Sequence, residues 1–408
     1  MRWESLVMKK LSFVALKYRD FRLLSLGLFI SRIGSEMQVV AVIWHLYLLT
    51  NSPLSIGYIG LARFIPLLPA SFIAGVVADK YDRRTIMLIS QILLTLVTMI
   101  FILLVFTSQI TPMMIYILIG VNSLVASFDS PARQAIIPHL VEKKDLLNAI
   151  SLMTLFWHTS KVIGPAFAGL LIASSGLNSI YVINALTFTA VIVGILMMSK
   201  KEFVVKEIVS LNIKTVKEGF GFIYRSPIIF STMLLDFIAT FFASAITMMP
   251  FFAKEIFAVG AQGLGLLYAA PSLGSMVAGI VLASMRTIRQ QGKVLLISVF
   301  IYGLATIFFA IIQSFILACI FLIVAGAGDM ISSIIRNTLR QVITPDRLRG
   351  RTSSVNMIFV MGGPQLGEVE AGWLANLIGV APSVAIGGAT TMLSVGLIGW
   401  LTPKLRRY

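Results

Sequence analysis

The sequence predicts an all-α membrane protein: twelve transmembrane helices arranged as two pseudo-symmetric six-helix bundles. Three observations carry that prediction. First, 58% of the 408 residues are hydrophobic and only 12% are charged, against about 25% charged in a typical soluble domain. The apolar runs fall at 22–49, 54–78, 85–106, 112–134, 148–173, 178–199, 228–252, 262–284, 293–312, 315–335, 351–378 and 382–403, each near the roughly 20 residues a spanning helix needs. Second, the N-terminal stretch, the even-to-odd turns and the tail hold 29 of the 33 lysines and arginines, whereas the opposite side carries only Lys254. The positive-inside rule then places both termini in the cytoplasm and makes the span count even. Third, the halves repeat. Arg133-Gln134 with Pro138 recurs as Arg340-Gln341 with Pro345 at an offset of 207, and Gly164-Pro165 recurs as Gly363-Pro364 at an offset of 199. Duplicated six-span halves are a transporter pattern, with substrate at the midplane between the repeats.

The same charge distribution accounts for the net charge of +16 without any nucleic acid. The one cysteine, Cys319, lies inside an apolar run, so no intramolecular disulfide forms. His45, His139 and His158 have no metal-ligand spacing; no metal and no cofactor is expected. No G-x-x-x-x-G-K-[ST] loop appears, which argues against ATP-driven pumping.

Taken in order, residues 1–21 read as a cytoplasmic N-terminal segment. The apolar run Leu11–Leu16 is too short for a cleaved signal peptide and suits a basic amphipathic surface segment. The first bundle covers 22–199. Span one carries Arg32 and Glu36 one turn apart, able to pair along one face. Near its outer end Trp44 and Tyr47 read as an interfacial aromatic belt. Arg63 lies deep in span two, and Asp129 and Arg133 lie near the cytoplasmic end of span four. Lys161 sits in span five with Phe156 and Trp157 close by. The longest hydrophilic segment, 200–227, is a cytoplasmic linker. The second bundle covers 228–403 and ends in a tail at 404–408. In it Asp236 stands eight residues into span seven, shallow enough to be interfacial. Asp329 and Arg336 mirror the span-four pair, and Glu368 and Glu370 lie in span eleven.

The turn between spans two and three holds five charges in six residues, Asp79, Lys80, Asp82, Arg83 and Arg84. The pattern Gly75-x-x-x-Asp79-x-x-Asp82-Arg83-Arg84 resembles the loop of the major facilitator superfamily that reads G-x-x-x-D-[RK]-x-[GD]-R-[RK]. On that resemblance Gly75 allows close helix approach, Asp79 caps a neighbouring helix N-terminus and the arginines fix the loop. The second copy, after Gly279, keeps only Arg286 and Arg289. Val162-Ile163-Gly164-Pro165-Ala166-Phe167-Ala168-Gly169 resembles the G-P-x-x-[GA]-G motif of this superfamily's exporters. Tyr268 to Gly274 and Gly363-Pro364 resemble its drug and siderophore efflux branch. The resemblance spans nearly the whole chain. It implies a major facilitator fold whose two bundles rock to export a solute against entering protons, in a bacterial cytoplasmic membrane.

Ionisable side chains inside spans default to functional candidates, since each costs about 2.5–3.5 kcal/mol or more facing lipid. Proton coupling falls to Glu36, Glu368 and Asp236. The substrate cavity draws on Arg32, Glu36, Arg63, Lys161 and Asp236. Gating and switching fall to Gly75, Asp79, Arg83, Arg84, Asp129, Arg133, Gly164, Pro165, Asp329, Arg336, Gly363, Pro364 and Glu368. Arg63 lies about 9 residues below the outer end of its span and Glu368 about 10, so both are roughly 13–15 Å deep. That match predicts an interhelical ion pair closing the outer side, with Glu370 as alternative partner. Three deep cations in the first half favour an anionic ligand such as a siderophore, while a soft apolar wall including Met248, Met249, Phe251 and Phe252 suits hydrophobic drugs. Against both stands a non-transporting receptor or scaffold on a transporter fold. An intramembrane enzyme is disfavoured, as no Ser/His/Asp, di-acid or metal constellation stands at helical spacing. A monomer in the lipid bilayer, with substrate and protons as partners, is expected.

Overall fold

A computed structural model of the chain describes residues 13–199 and 220–408 apart from Ser244, Arg286, Thr287, Asp346 and Arg347, with backbone alone at Phe72, Asp79, Ala245, Arg349, Gly350, Ser354 and Ile358. Most of the expected N-terminal segment and of the linker, and the side chain of Asp79, therefore lie outside the described residues. Among the described residues twelve long helices follow in chain order: α1 Arg19–Thr50, α2 Pro53–Lys80, α3 Arg83–Phe106, α4 Pro112–Ile136, α5 Leu146–Ser175, α6 Leu177–Met197, α7 Pro227–Phe242, α8 Gly260–Ser284, α9 Gln291–Ile311, α10 Phe315–Ile343, α11 Arg349–Ile378 and α12 Val380–Leu401. Among the described residues eleven helices are long and apolar enough to cross a membrane; α11 falls outside that set. It runs for 30 residues and carries Glu368 and Glu370.

By contact the chain forms two compact units, Met1–His45 with Ile65–Val209 and Leu46–Phe64 with Ser210–Tyr408. The outer ends of α1 and α2 thus belong with the second half of the sequence.

In the first unit, Asp82 caps α3. Its carboxylate accepts from the Arg84 and Thr85 backbone N–H groups at 3.4 and 2.9 Å, satisfying donors that a helix start leaves open. Thr111 caps α4 in the same way, and Pro112, which lacks an N–H, sits in the first turn. Phe21, Leu24, Met87, Ile136, Ala149 and Ile195 close a core at the basic end. The turn Val14–Lys17 docks there through Ala15, which is fully buried and donates its N–H to Asn148 Oδ1 at 3.0 Å. Tyr18 donates to Asp145 at 2.8 Å, and that bond holds the phenol above its ordinary range. Deeper in, Gln38 Oε1 accepts from Asn184 Nδ2 and from Thr98 Oγ1, tying α1, α6 and α3. Such polar side chains are satisfied within the bundle because hydrocarbon offers them no partner.

In the second unit α10 packs on α8 and α9, and α9 on α12. Span seven is not one helix. After α7 stops at Phe242, a 3-10 turn at Ala245–Met248 leads through Met249–Phe251 into a π-turn at Phe252–Ile256. The carbonyl of Ala243, freed by the break, accepts from Tyr302 Oη on α9 at 3.0 Å. Met248, Met249, Phe251 and Phe252 are buried, so the outer piece is anchored by apolar packing.

The Gly-Pro motifs have matching places in the two halves. A Cβ on Gly164 would come within 2.6 Å of the Glu36 Cβ and 3.0 Å of the Ile33 carbonyl on α1, and one on Gly363 would meet Thr240 on α7. Each glycine lets the fifth helix of its repeat pass the first helix. Gly75 does not behave as expected: a Cβ there would meet nothing within 4 Å. It faces open space rather than a helix.

Candidate functional site

The charged loop is held by its arginines. Arg83 Nη1 donates to the Ala135 carbonyl at 3.4 Å and Arg84 Nη2 to the Leu196 carbonyl at 2.9 Å. Both acceptors lie in the last turns of α4 and α6, where carbonyls have no helical partner and the dipole favours a cation. The acid that caps the next helix is Asp82, which the motif comparison treats as a variant glycine position.

Halfway along the first unit's helices, Arg32 Nη2 meets Glu36 Oε1 at 2.9 Å. The Arg32 guanidinium lies 5.9 Å from the Trp157 ring centroid, and Lys161 Nζ lies 4.2 Å from the same ring. Cations within about 6 Å of an indole face are drawn to it. Phe29 stacks on Phe156 at 4.7 Å beside this group. Arg32 Nε is buried without a hydrogen-bond partner, while Trp157 is 41% exposed. The ring touches two mid-span cations, which are costly against hydrocarbon. The basic end holds a second acid: Asp129 accepts from Gln91 Nε2 at 3.1 Å and lies 3.6 Å from Arg133.

In the second unit Arg63 Nη1 donates to Glu368 Oε1 at 3.2 Å. The two side chains meet as their matched depths require. Glycine sets the approach: a Cβ on Gly57 would come within 2.8 Å of the Glu368 carbonyl, and one on Gly60 would collide with the Gln365 carbonyl. The second carboxylate oxygen of Glu368, Gln365 Oε1 and Tyr268 Oη are buried with no hydrogen-bond partner. Glu370, the alternative partner, forms no ion pair among the described residues.

Three expectations need correction. Arg336 pairs with Asp236, not Asp329: Nη2 to Oδ1 is 2.6 Å, and Arg336 also donates to Ser332 Oγ. Arg336 and Asp329 are two helical turns apart, about 10 Å along the axis, whereas α7 delivers Asp236 laterally. Asp236 is accordingly buried rather than interfacial. Trp44 and Tyr47 are buried too, not belt residues. Tyr47 Oη donates to Glu255 Oε1 at 2.9 Å with Lys254 Nζ 5.7 Å from its ring.

Several participants escaped the sequence reading, among them Gln38, Asn184, Gln91, Ser332 and Tyr302. Each is a polar residue inside an apolar run. That is a detectable signal, but one without a named partner until the helices are packed.

Comparison with known proteins agrees with this architecture. Residues 11–407 match the family described as transmembrane secretion effectors. The chain is 26% identical over 393 residues to the staphyloferrin A transporter of Staphylococcus aureus, covering 94% of this chain and 95% of that protein. It is 26% identical over 392 residues to the enterobactin exporter EntS of Salmonella typhimurium, covering 95% and 93%. Among solved structures, the nucleoside transporter NupG superposes with a TM-score of 0.73 at 13% identity, covering 95% and 99%. A bacterial homologue of the lysosomal transporter Spinster gives 0.73 at 15%, covering 95% and 98%.

Proposed function

The chain belongs to the transmembrane secretion effector family of the major facilitator superfamily, and from that premise we propose that it exports a small anionic molecule of the siderophore class in exchange for protons. It is a multi-pass membrane transporter. The bacterial cytoplasmic membrane with both termini inside is the orientation its basic residues favour.

The observation that carries the substrate reading is the gathering of Arg32 and Lys161 on the half-open ring of Trp157, with Glu36 as the carboxylate bound to Arg32. Charges at mid-membrane must be compensated. An arriving carboxylate or catecholate does so by replacing Glu36 at the guanidinium, and the released Glu36 is then the group that takes up a proton. Substrate and proton thus compete through one arginine, which makes exchange obligatory. Relatives named for staphyloferrin A transport and enterobactin export accord with an anionic cargo. Arg63–Glu368 serves as the outer closure in this scheme, with Asp236–Arg336 and Asp129–Arg133 as fixed points at the basic ends of the bundles.

Broad-range efflux of hydrophobic drugs has the stacked Phe29–Phe156 pair in its favour. Inside-out vesicles separate the two readings. Under an imposed proton gradient, uptake of anionic siderophores that collapses with the gradient supports the proposal. Uptake confined to uncharged or cationic drugs overturns the substrate class, and flux indifferent to the gradient overturns the coupling.

A further inference from the structure

We propose that the cleft between α8 and α10 at the basic end of the second unit binds an anionic phospholipid, with an acyl chain in the cleft and the phosphate on Arg289. The two helices are in backbone contact around Gly274 and Gly326, where a Cβ on Gly274 would come within 3.0 Å of the Ala327 nitrogen and one on Gly326 within 2.7 Å of Pro271 Cα. Beyond that contact lies a cavity of about 440 Å³ whose walls include Val277, Val281, Met285, Ala327 and Ile331. The volume falls within the roughly 300–1,000 Å³ of small-molecule pockets. The wall is almost wholly apolar. Val277, Val281 and Met285 stand about half exposed at its rim, so the cleft opens sideways to the hydrocarbon.

Arg289 lines the same cavity, and among the described residues it makes no hydrogen bond and no ion pair. The contrast with the other half is what points to a ligand. α8 is the repeat counterpart of α2, and the arginines after α2 are spent on the carbonyls of Ala135 and Leu196. Among the described residues Arg289, after α8, meets no such acceptor. A cation at the bilayer edge, above an apolar cleft open to the hydrocarbon, matches one chemistry: an acyl chain ending in a phosphate. A soluble anion would gain the arginine but leave the apolar wall unused. On the orientation proposed above, the lipid comes from the inner leaflet.

The test uses the purified full-length chain and native mass spectrometry with phosphatidylglycerol and phosphatidylcholine of matched acyl chains, plus glycerol 3-phosphate as the free headgroup. The expected result is retention of phosphatidylglycerol about fivefold over phosphatidylcholine, the ratio that one surface arginine supplies. Arg289→Gln should abolish the preference, Val281→Trp should lower retention of both lipids, and Lys404→Gln on the tail should change neither. Arg289 is exposed, so its variant folds; size-exclusion profiles confirm that for Val281→Trp. Equal retention in the wild type, a preference that survives Arg289→Gln, or an equal loss in Lys404→Gln would overturn the site. Binding of glycerol 3-phosphate as tight as that of the lipid would overturn the lipid in favour of a free phosphate.

Discussion

Neutralising Arg63 and Glu368 together should cost little more than neutralising either one alone. At the 3.2 Å separation of the pair, two unit charges in an effective dielectric of 20 attract by about 5 kcal/mol, an upper limit before desolvation. Removing one partner of a buried pair costs ~3–5 kcal/mol because the other charge is stranded. A quarter of the Arg63 side chain stays accessible, which puts Glu368→Gln near the low end, ~3 kcal/mol. Arg63→Gln strands a carboxylate whose side chain is 13% exposed, and should cost at least as much. The double variant leaves two amides in hydrogen-bonding reach and should lie within ~1 kcal/mol of either single, a coupling of ~2–3 kcal/mol. Denaturant unfolding of the purified protein in one micelle type, over the four proteins of the cycle, measures this. Vesicle export on the same set gives the functional counterpart. Single-variant costs that add to within ~0.5 kcal/mol in the double would show that the two charges do not depend on each other.

Three further outcomes follow from the geometry. Glu36→Gln keeps an acceptor for Arg32 but cannot exchange a proton, so gradient-driven export in vesicles should vanish while yield and elution profile stay wild type. Asp236→Asn leaves the buried Arg336 charge uncompensated at ~3–5 kcal/mol and should collapse the folded yield on size-exclusion; Asp236→Asn with Arg336→Gln should restore most of it. Asp82→Ala removes the α3 cap and should lower stability by ~1 kcal/mol, read as a drop of about 2 °C in melting temperature, with export retained.

The fold could be read from the sequence because a bilayer enforces two countable rules, span length and the side on which lysine and arginine fall. Arg63 and Glu368 could be paired for a related reason: depth is a residue count, and matched depths on neighbouring helices leave few partners. Lateral neighbours are not countable in this way. Asp329 shares a helix with Arg336 and looked like its partner, yet Asp236, a hundred residues earlier in the chain, takes that place. Tyr47 lies where aromatic belts lie, and only the fold of the segment carrying Glu255 shows it to be covered. The break in span seven is marked in the sequence only by Pro250 at the start of its outer piece; nothing at Ala243 foretells that its carbonyl is taken by a hydroxyl from another helix.

That break has an electrical consequence. The bond from Tyr302 to the Ala243 carbonyl joins two neutral groups. Opening and remaking that bond therefore moves no charge through the membrane potential, where one elementary charge is worth ~2.3 kcal/mol per 100 mV. The two pieces of span seven are held by different means, the inner by Asp236 with Arg336 and the outer by buried Met and Phe side chains. The bond itself is then insensitive to voltage, and any voltage dependence at this joint comes from the charges its two pieces carry, Asp236 on the inner and Lys254 with Glu255 on the outer.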